Sequence, residues 1–362
     1  MILSQLVSTS ALLAPSPSEI ALEDMVKNAR AANLFAAEGN TISSPANVLM
    51  VTIMMAQAVD AGSRTQILQS LHPQMTMADG RGFFQQLAKG LDPETTRLAR
   101  AVWSVEGATP AVQQGIKDGY GAEVGKLPTQ EEANDWASRN TSGMIRQFPI
   151  QVANQKVILA SALAYTNQWK GGDKPKVQVP FQFGAQRREI PGFSTKVPEG
   201  TVGDVLTYHL PYENGETMLV LLGRNNAPTP ARVARWGVAE WKAAMQPRGN
   251  EQVFLHTPNF QFQVRTNFMQ AWKARGRPIY VAFPGLYEEA SNVFFAEGAY
   301  VRVDEKGTKA ASLATIGGGG IGGGGPRNRT VVVDRPFVFA IVRPGYPLPL
   351  FIGTVNAPAI TP

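Results

Sequence analysis

Groups able to do covalent or metal chemistry are few in this chain and poorly spaced for it. The three histidines, His72, His209 and His256, stand far apart, and no H-E-x-x-H, H-x-H or C-x-x-C pattern occurs. The sequence therefore signals no metal site. It contains no cysteine, which removes thiolate catalysis, disulfides and cysteine–zinc sites. No serine sits in G-x-S-x-G and there is no G-x-x-x-x-G-K-[ST] loop, the signatures of an activated hydrolase serine and a phosphate cradle. A glycine run contains G-x-G-x-x-G spacings, but it follows a strand-like segment and opens no helix, so it fails the structural test for dinucleotide binding. No catalytic residue, cofactor or metal is expected.

What stands out instead is "DEKGTKAASLATIGGGGIGGGGPRNR", residues 304 to 329, with eight glycines around Ile321. The elements on either side decide what such a segment can be. "EIALEDMVKNARAANLFAAEG" has helical spacing, acidic residues in its first turn and a closing glycine. "SSPANVLMVTIMMAQAVDAG" places Ser44 as N-cap and Pro45 at the first helical position, and its body is apolar all round, as in a buried helix. "SRTQILQSLH", "RGFFQQLAKGL" and "TQEEANDWASRNTSGMIRQF" read as further helices, and "PAVQQGIKDGYGAEVGKL" as helix then strand. "LARAVWSVEG" is strand-like, and "KVILASALAYTNQW" has the apolar continuity of a strand buried on both faces. Later segments are mostly strands, among them "VGDVLTYHLPY", "ETMLVLLG", "QVFLHTPNFQFQV", "NVFFAEGAYVRVDE", "RTVVVDRPFVFAIVRP" and "PLPLFIGTVNAP". The helices "TPARVARWGVAEWKAAM" and "RTNFMQAWKARG" interrupt them. Helices first and strands later point to an α+β fold with large mixed sheets.

Only about 30 strand-rich, apolar residues follow the glycine run, too few for a core of their own. They must pair back into the main sheets. The run is then a long loop within one domain, and such loops are usually functional.

Over nearly the whole chain the sequence resembles the serpins. The resemblance rests on "VRVDEKGTKAAS", "DRPFVFAIV" and "PLFIGTVNAP", and on "NTISSPANVLMVTIMMAQAVDAGSRTQIL", "ANDWASRNTSGMI", "LASALAYTNQWKG" and "TPNFQFQVRTNFMQAWKARG" in the family's order. It implies three β-sheets, about eight or nine helices and an exposed reactive-centre loop, here residues 305–330. Residues 1–18 are read as a tail or signal remnant and 19–362 as one domain. The function implied is suicide-substrate inhibition of serine endopeptidases, with cysteine endopeptidases as a second class. A protease cuts the loop, and the cut loop enters the central sheet as a new strand. The alternative is a non-inhibitory binding or chaperone-like member, cleaved as a simple substrate.

The implied hinge comprises Glu305, Gly307, Thr308, Ala310, Ala311, Ser312 and Ala314. An inserting strand alternates faces, and with Thr308 inward the inner set is Thr308, Ala310, Ser312, Ala314 and Ile316. These are small up to the last, and no proline occurs between Asp304 and Gly325, so every ladder N–H is available. Gly307 supplies a pivot. Counting from Glu305 by the family's usual hinge length, the resemblance implies Ile321–Gly322 as the reactive bond, which suits an elastase-like or subtilisin-like protease. Arg327 and Arg329 are the trypsin-like alternatives. The family's sheet-opening cluster falls on Asn47, Ser161 and Glu297. There a buried carboxylate needs hydrogen bonds, which Asn47 and Ser161 could supply, or a raised pKa. Trp169 stands where the family has a tryptophan near the top of the sheet.

Net charge is +6 and the basic residues are scattered, unlike a nucleic-acid surface. No apolar run is long enough to span a membrane. A monomer is expected, extracellular or periplasmic, and the absence of cysteine and the short loops suit a prokaryotic source.

Overall fold

The computed structural model describes residues 16–226, 228–247, 249, 251–308 and 329–358. Nine α-helices lie among them: α1 Pro17–Ala31, α2 Pro45–Ala58, α3 Ala61–Leu71, α4 Met77–Lys89, α5 Pro110–Tyr120, α6 Gln130–Asn140, α7 Thr229–Val233, α8 Val238–Met245 and α9 Met269–Ala274. The strands of the first half are β1 Thr41–Ser43, β2 Thr96–Ser104, β3 Glu123–Lys126, β4 Val157–Tyr165, β5 Asn167–Gln168, β6 Lys176–Phe183, β7 Gln186–Val202, β8 Val205–Pro211 and β9 Thr217–Gly223. Those of the second half are β10 Gln252–Pro258, β11 Phe260–Asn267, β12 Tyr280–Phe283, β13 Tyr287–Asn292, β14 Ala296–Asp304, β15 Gly307–Thr308, β16 Thr330–Val332, β17 Phe337–Val342 and β18 Phe351–Val355.

Local chemistry explains the main boundaries. Ser16 and Glu19 form a reciprocal capping box at the start of α1, with Pro17 in the first turn. The helical pattern continues toward Gly39, but the helix stops at Ala31 because Asn33 takes a left-handed conformation with φ 53°. The hydroxyl of Ser44 accepts from the Asn47 N–H to cap α2, and twelve of that helix's side chains are buried. The segment read as one helix up to Phe148 ends at Asn140, where Ser142 (φ 52°) and Gly143 (φ 77°) turn the chain. Gly237 likewise separates α7 from α8.

The strands make three larger sheets and one hairpin. β1, β18, β17, β9 and β8 follow one another and reach the far end of β7, whose 17 residues bend into a second sheet with β6, β10 and β16. The third sheet lies in two halves. β3–β2–β4 form one, β11–β14 the other, and the two-residue β15 joins them at one end by pairing with β14 and β5. β12 and β13 pair alone. α2 runs beneath the divided sheet within the main core, while α6 packs on its other face through Ala133, Trp136 and Ala137 against Trp103, Ala160 and Ala162.

Candidate functional site

The ladder bonds of β4 go to β2, and those of β14 go to β11 and, at its last two residues, to β15. Below β15 the two strands face each other across a slot, with no pairing between them among the described residues. Two cavities mark it. One of 20 Å³ is lined by Leu163 and Tyr165 of β4, Tyr300 and Val301 of β14, and Thr308. Another of 60 Å³ is lined by Leu159 and Ser161 of β4, Glu297 and Gly298 of β14, and Asn47. Facing, unpaired β edges are templates for an added strand. The side chains of Asn47 and Ser161 leave Oδ1 and Oγ without partners, while the Asn47 Nδ2 donates to the Ser161 carbonyl at 3.4 Å.

At the mouth of the slot two of the residues read as the hinge, Gly307 and Thr308, already occupy the sheet. Gly307 pairs with Asp304 and Gln168, and Thr308 with Val303 and Asn167. Gly307 has φ 148°, and a Cβ there would lie 2.2 Å from the Asn167 carbonyl oxygen, so only glycine fits. Thr308 is 3% exposed, and its hydroxyl shares a hydrogen bond with the Tyr212 hydroxyl. Tyr212 stacks on Trp169 with ring centroids 4.6 Å apart, and the Trp169 Nε1 donates to the Asp304 carbonyl at 2.8 Å. Glu305 ion-pairs with Lys176 at 3.1 Å.

Glu297 lies on the inner face of β14. Its Oε2 accepts from the Ser43 hydroxyl at 2.6 Å and its Oε1 from the Ser44 N–H at 3.0 Å. Burial pushes its carboxyl up to about 7, against the opposing pull of those donors and Asn47. The structure thus brings Asn47, Ser161 and Glu297 to one cavity. The hydrogen bonds to the carboxylate come mainly from Ser43 and Ser44, and Ser161 gives it none. Sequence pattern marked Ser44 as a helix cap but gave no sign that it or Ser43 would meet Glu297, nor that Tyr212 would meet Thr308 across 96 positions.

Ala310, Ala311, Ser312, Ala314, Ile321, Gly322 and Arg327 lie outside the described residues. Arg329 is described. Its guanidinium pairs with Glu199 at 2.6 Å and Glu251 at 3.7 Å, and its carbonyl accepts from the Phe254 N–H at 3.0 Å. The segment after α6 is fastened over the sheet by Asn134, which accepts from the Phe148 N–H, and by Thr141, which accepts from the Ile145 N–H.

A divided sheet, a buried helix beneath it and the two-residue strand β15 seated in its mouth define a class. The chain belongs to the serpin (serine protease inhibitor) family, whose model matches residues 23–358. Members of that family are generally protease inhibitors rather than catalysts. Among curated relatives, glia-derived nexin of Rattus norvegicus is 27% identical over 279 residues, 67% of this chain and 67% of that protein. Serpin A3-1 of Bos taurus is 24% identical over 361 residues, 88% of this chain and 84% of that protein. Among solved structures, the native state of the thermophilic serpin tengpin superposes with a TM-score of 0.80 at 18% identity, covering 93% of this chain and 94% of its own. Native protease nexin-1 with heparin gives 0.76 at 18% identity, covering 95% and 100%. These structural likenesses establish the fold.

Proposed function

We propose that this protein is a suicide-substrate inhibitor of serine endopeptidases. The observation that carries the reading is Gly307–Thr308 seated as the first two residues of a strand at the mouth of a slot that no other described residue fills. The protease serine attacks the carbonyl of the scissile residue, the amine of the next residue leaves, and an acyl ester holds the two proteins together. The freed segment then continues the strand begun at β15 down the slot, carrying the protease with it before water cleaves the ester.

Ile321–Gly322 is the favoured bond. Thirteen residues separate Thr308 from Ile321, enough for about 40 Å of strand, so cleavage there releases a segment that can fill the slot. Cleavage at Arg329 would require breaking the ion pairs to Glu199 and Glu251 and the main-chain bond to Phe254. Arg327 remains the trypsin-like alternative. An aliphatic Ile321 suits an elastase-like or subtilisin-like pocket.

Gly317 to Gly320 weaken the drive, at roughly 0.5–1 kcal/mol each relative to alanine, or about 2–4 kcal/mol together. A full ladder returns on the order of ten backbone bonds at about 1 kcal/mol net each. Insertion therefore still runs downhill, with more chains lost to ester hydrolysis. That glycine run and the carboxylate in the sheet-opening cluster favour the second reading, a serpin cleaved as a plain substrate. Incubation with a protease panel separates the two. The inhibitor reading gives a complex that survives boiling in detergent, with cleavage after Ile321 by mass spectrometry, whereas the substrate reading gives only cut chain and free, active protease. An extracellular or periplasmic protease is the target that fits this activity.

A further inference from the structure

A cavity of 450 Å³ opens where the β6–β7 hairpin and α7 meet the link from β16 to β17. It shares no residue with the two cavities of the slot. Its volume suits a small organic molecule rather than a few waters. Pro228, Pro230 and Ala231 at α7, Pro336 on the link and Ala37 give it apolar walls. Proline holds its backbone at one φ, so little order has to be gained when something binds there. The Gln182 N–H donates to the Asp334 carbonyl at 2.7 Å and fastens β6 to the link.

The charged lining is two guanidinium groups, Arg187 and Arg335, and one carboxylate, Asp334. Arg335 is already committed. Its Nη1 donates to Asp334 Oδ1 at 2.7 Å and its Nη2 to the Gly223 carbonyl at 2.8 Å. Arg187 is free to turn to a ligand: its contact with Asp334 Oδ2 is 3.8 Å, too long for a hydrogen bond, and its side chain is 59% exposed. With Asp334 neutralised by Arg335, Arg187 stands as an uncompensated positive charge at the edge of an apolar cavity. In the same lining, Arg335 Nε and Asn356 Oδ1 are buried without partners, hydrogen-bonding capacity that the protein itself leaves unused.

We propose that this cavity binds a small organic acid, a single carboxylate on an apolar body, with the body against the prolines and the carboxylate on Arg187. A guanidinium fork matches a carboxylate through two parallel hydrogen bonds. One unpaired positive charge calls for one negative charge on the ligand, and a polyanion would find no second free cation among the lining residues. The ligand also bridges α7 and the Asp334–Pro336 link, so an occupied cavity stabilises the folded chain by mass action. The site does not depend on the inhibitory reading above.

The test applies octanoate, 2-naphthoate and the neutral 2-naphthamide to the full chain, read by titration calorimetry and by the shift in melting temperature. Wild type should bind one molecule of each acid and melt a few degrees higher at saturation. It should hold the amide about tenfold less tightly, because the charge-assisted pair is lost. Arg187→Glu should weaken both acids about tenfold or more. Ala231→Trp, which places an indole at the cavity wall, should abolish binding of all three. Arg188→Ala alters the neighbouring arginine on the opposite face of β7 and should bind as wild type does. All three positions are exposed, and the melting temperature without ligand checks the fold of each variant. Failure of both acids to bind wild type overturns the proposal, as does equal affinity for acid and amide. So does wild-type affinity for the acids in either Arg187→Glu or Ala231→Trp, or an equal loss in Arg188→Ala.

Discussion

Thr308 is the residue at which the inhibitory reading is most exposed to test. Its side chain is 3% exposed and bonded to the hydroxyl of the fully buried Tyr212. Thr308→Glu places a carboxylate there, beside a tyrosine whose own ionisation is already opposed by burial and by the nearby Glu216. An uncompensated buried charge costs on the order of 3–5 kcal/mol, so the substitution unseats the two residues that already occupy the mouth of the slot and, at 1.4 kcal/mol per decade, disfavours their return as the strand forms by roughly a hundredfold or more. Thr308→Val keeps shape and loses only one hydrogen bond, about 1 kcal/mol. The assay is a titration of protease against inhibitor, counting chains consumed per protease held in a boiling-resistant complex. Thr308→Glu should be cut at a normal rate and trap almost nothing, and Thr308→Val should trap nearly as wild type does. Equal trapping by Thr308→Glu and wild type would refute entry of the loop at this point.

Other outcomes follow from the same structure. Asp24 is buried between Arg275 and Arg277, at 2.6 and 2.7 Å. Asp24→Ala should lose about 3–5 kcal/mol in denaturant unfolding because two guanidinium groups are left without a counter-charge, and a loss under about 1 kcal/mol would contradict this. At Gly192 a Cβ would stand 2.4 Å from the Thr257 carbonyl oxygen and 2.6 Å from the Val179 side chain. Gly192→Ala should therefore lower the melting temperature by several degrees through strain where β6, β7 and β10 meet. The carboxyl of Glu297 goes from an ordinary 4.5 to about 7 on folding, so the folded chain holds the proton more tightly. Its contribution is fully present below about pH 4.5 and lost as pH rises through about 7, roughly 3 kcal/mol in all. The difference in unfolding free energy between wild type and Glu297→Gln should follow that curve, and a pH-independent difference would contradict the placement of the carboxyl.

The parts legible in the sequence were those with strong local patterns. Ser44, Pro45 and an unbroken apolar body announced α2, and the run from Val157 announced β4. The alternation of the hinge is counted from Thr308 as its inward residue, and that side chain is buried. β6 and β7 escaped notice because Pro180, Pro191 and Pro198 punctuate a polar stretch that argues against central strands. Pro180 is tolerated because β6 is an edge strand, paired with β7 alone, and Pro191 and Pro198 lie where β7 has a partner on one side only, Gln178 of β6 and Gln252 of β10 respectively. Glu297 was legible as a buried carboxylate in need of partners, but its actual donors were not. Ser43 reaches it from the three-residue β1 across 254 positions, a meeting fixed by tertiary packing that no periodicity encodes. The Tyr212–Thr308 contact is hidden for the same reason.

The central claim is that the severed loop becomes an interior strand, and one calorimetric comparison of intact and loop-nicked protein reaches it most directly. Filling the slot adds a ladder of about ten hydrogen bonds, so the nicked form should melt many degrees above the intact one. If both melt at the same temperature, the slot stays unfilled and the account is wrong.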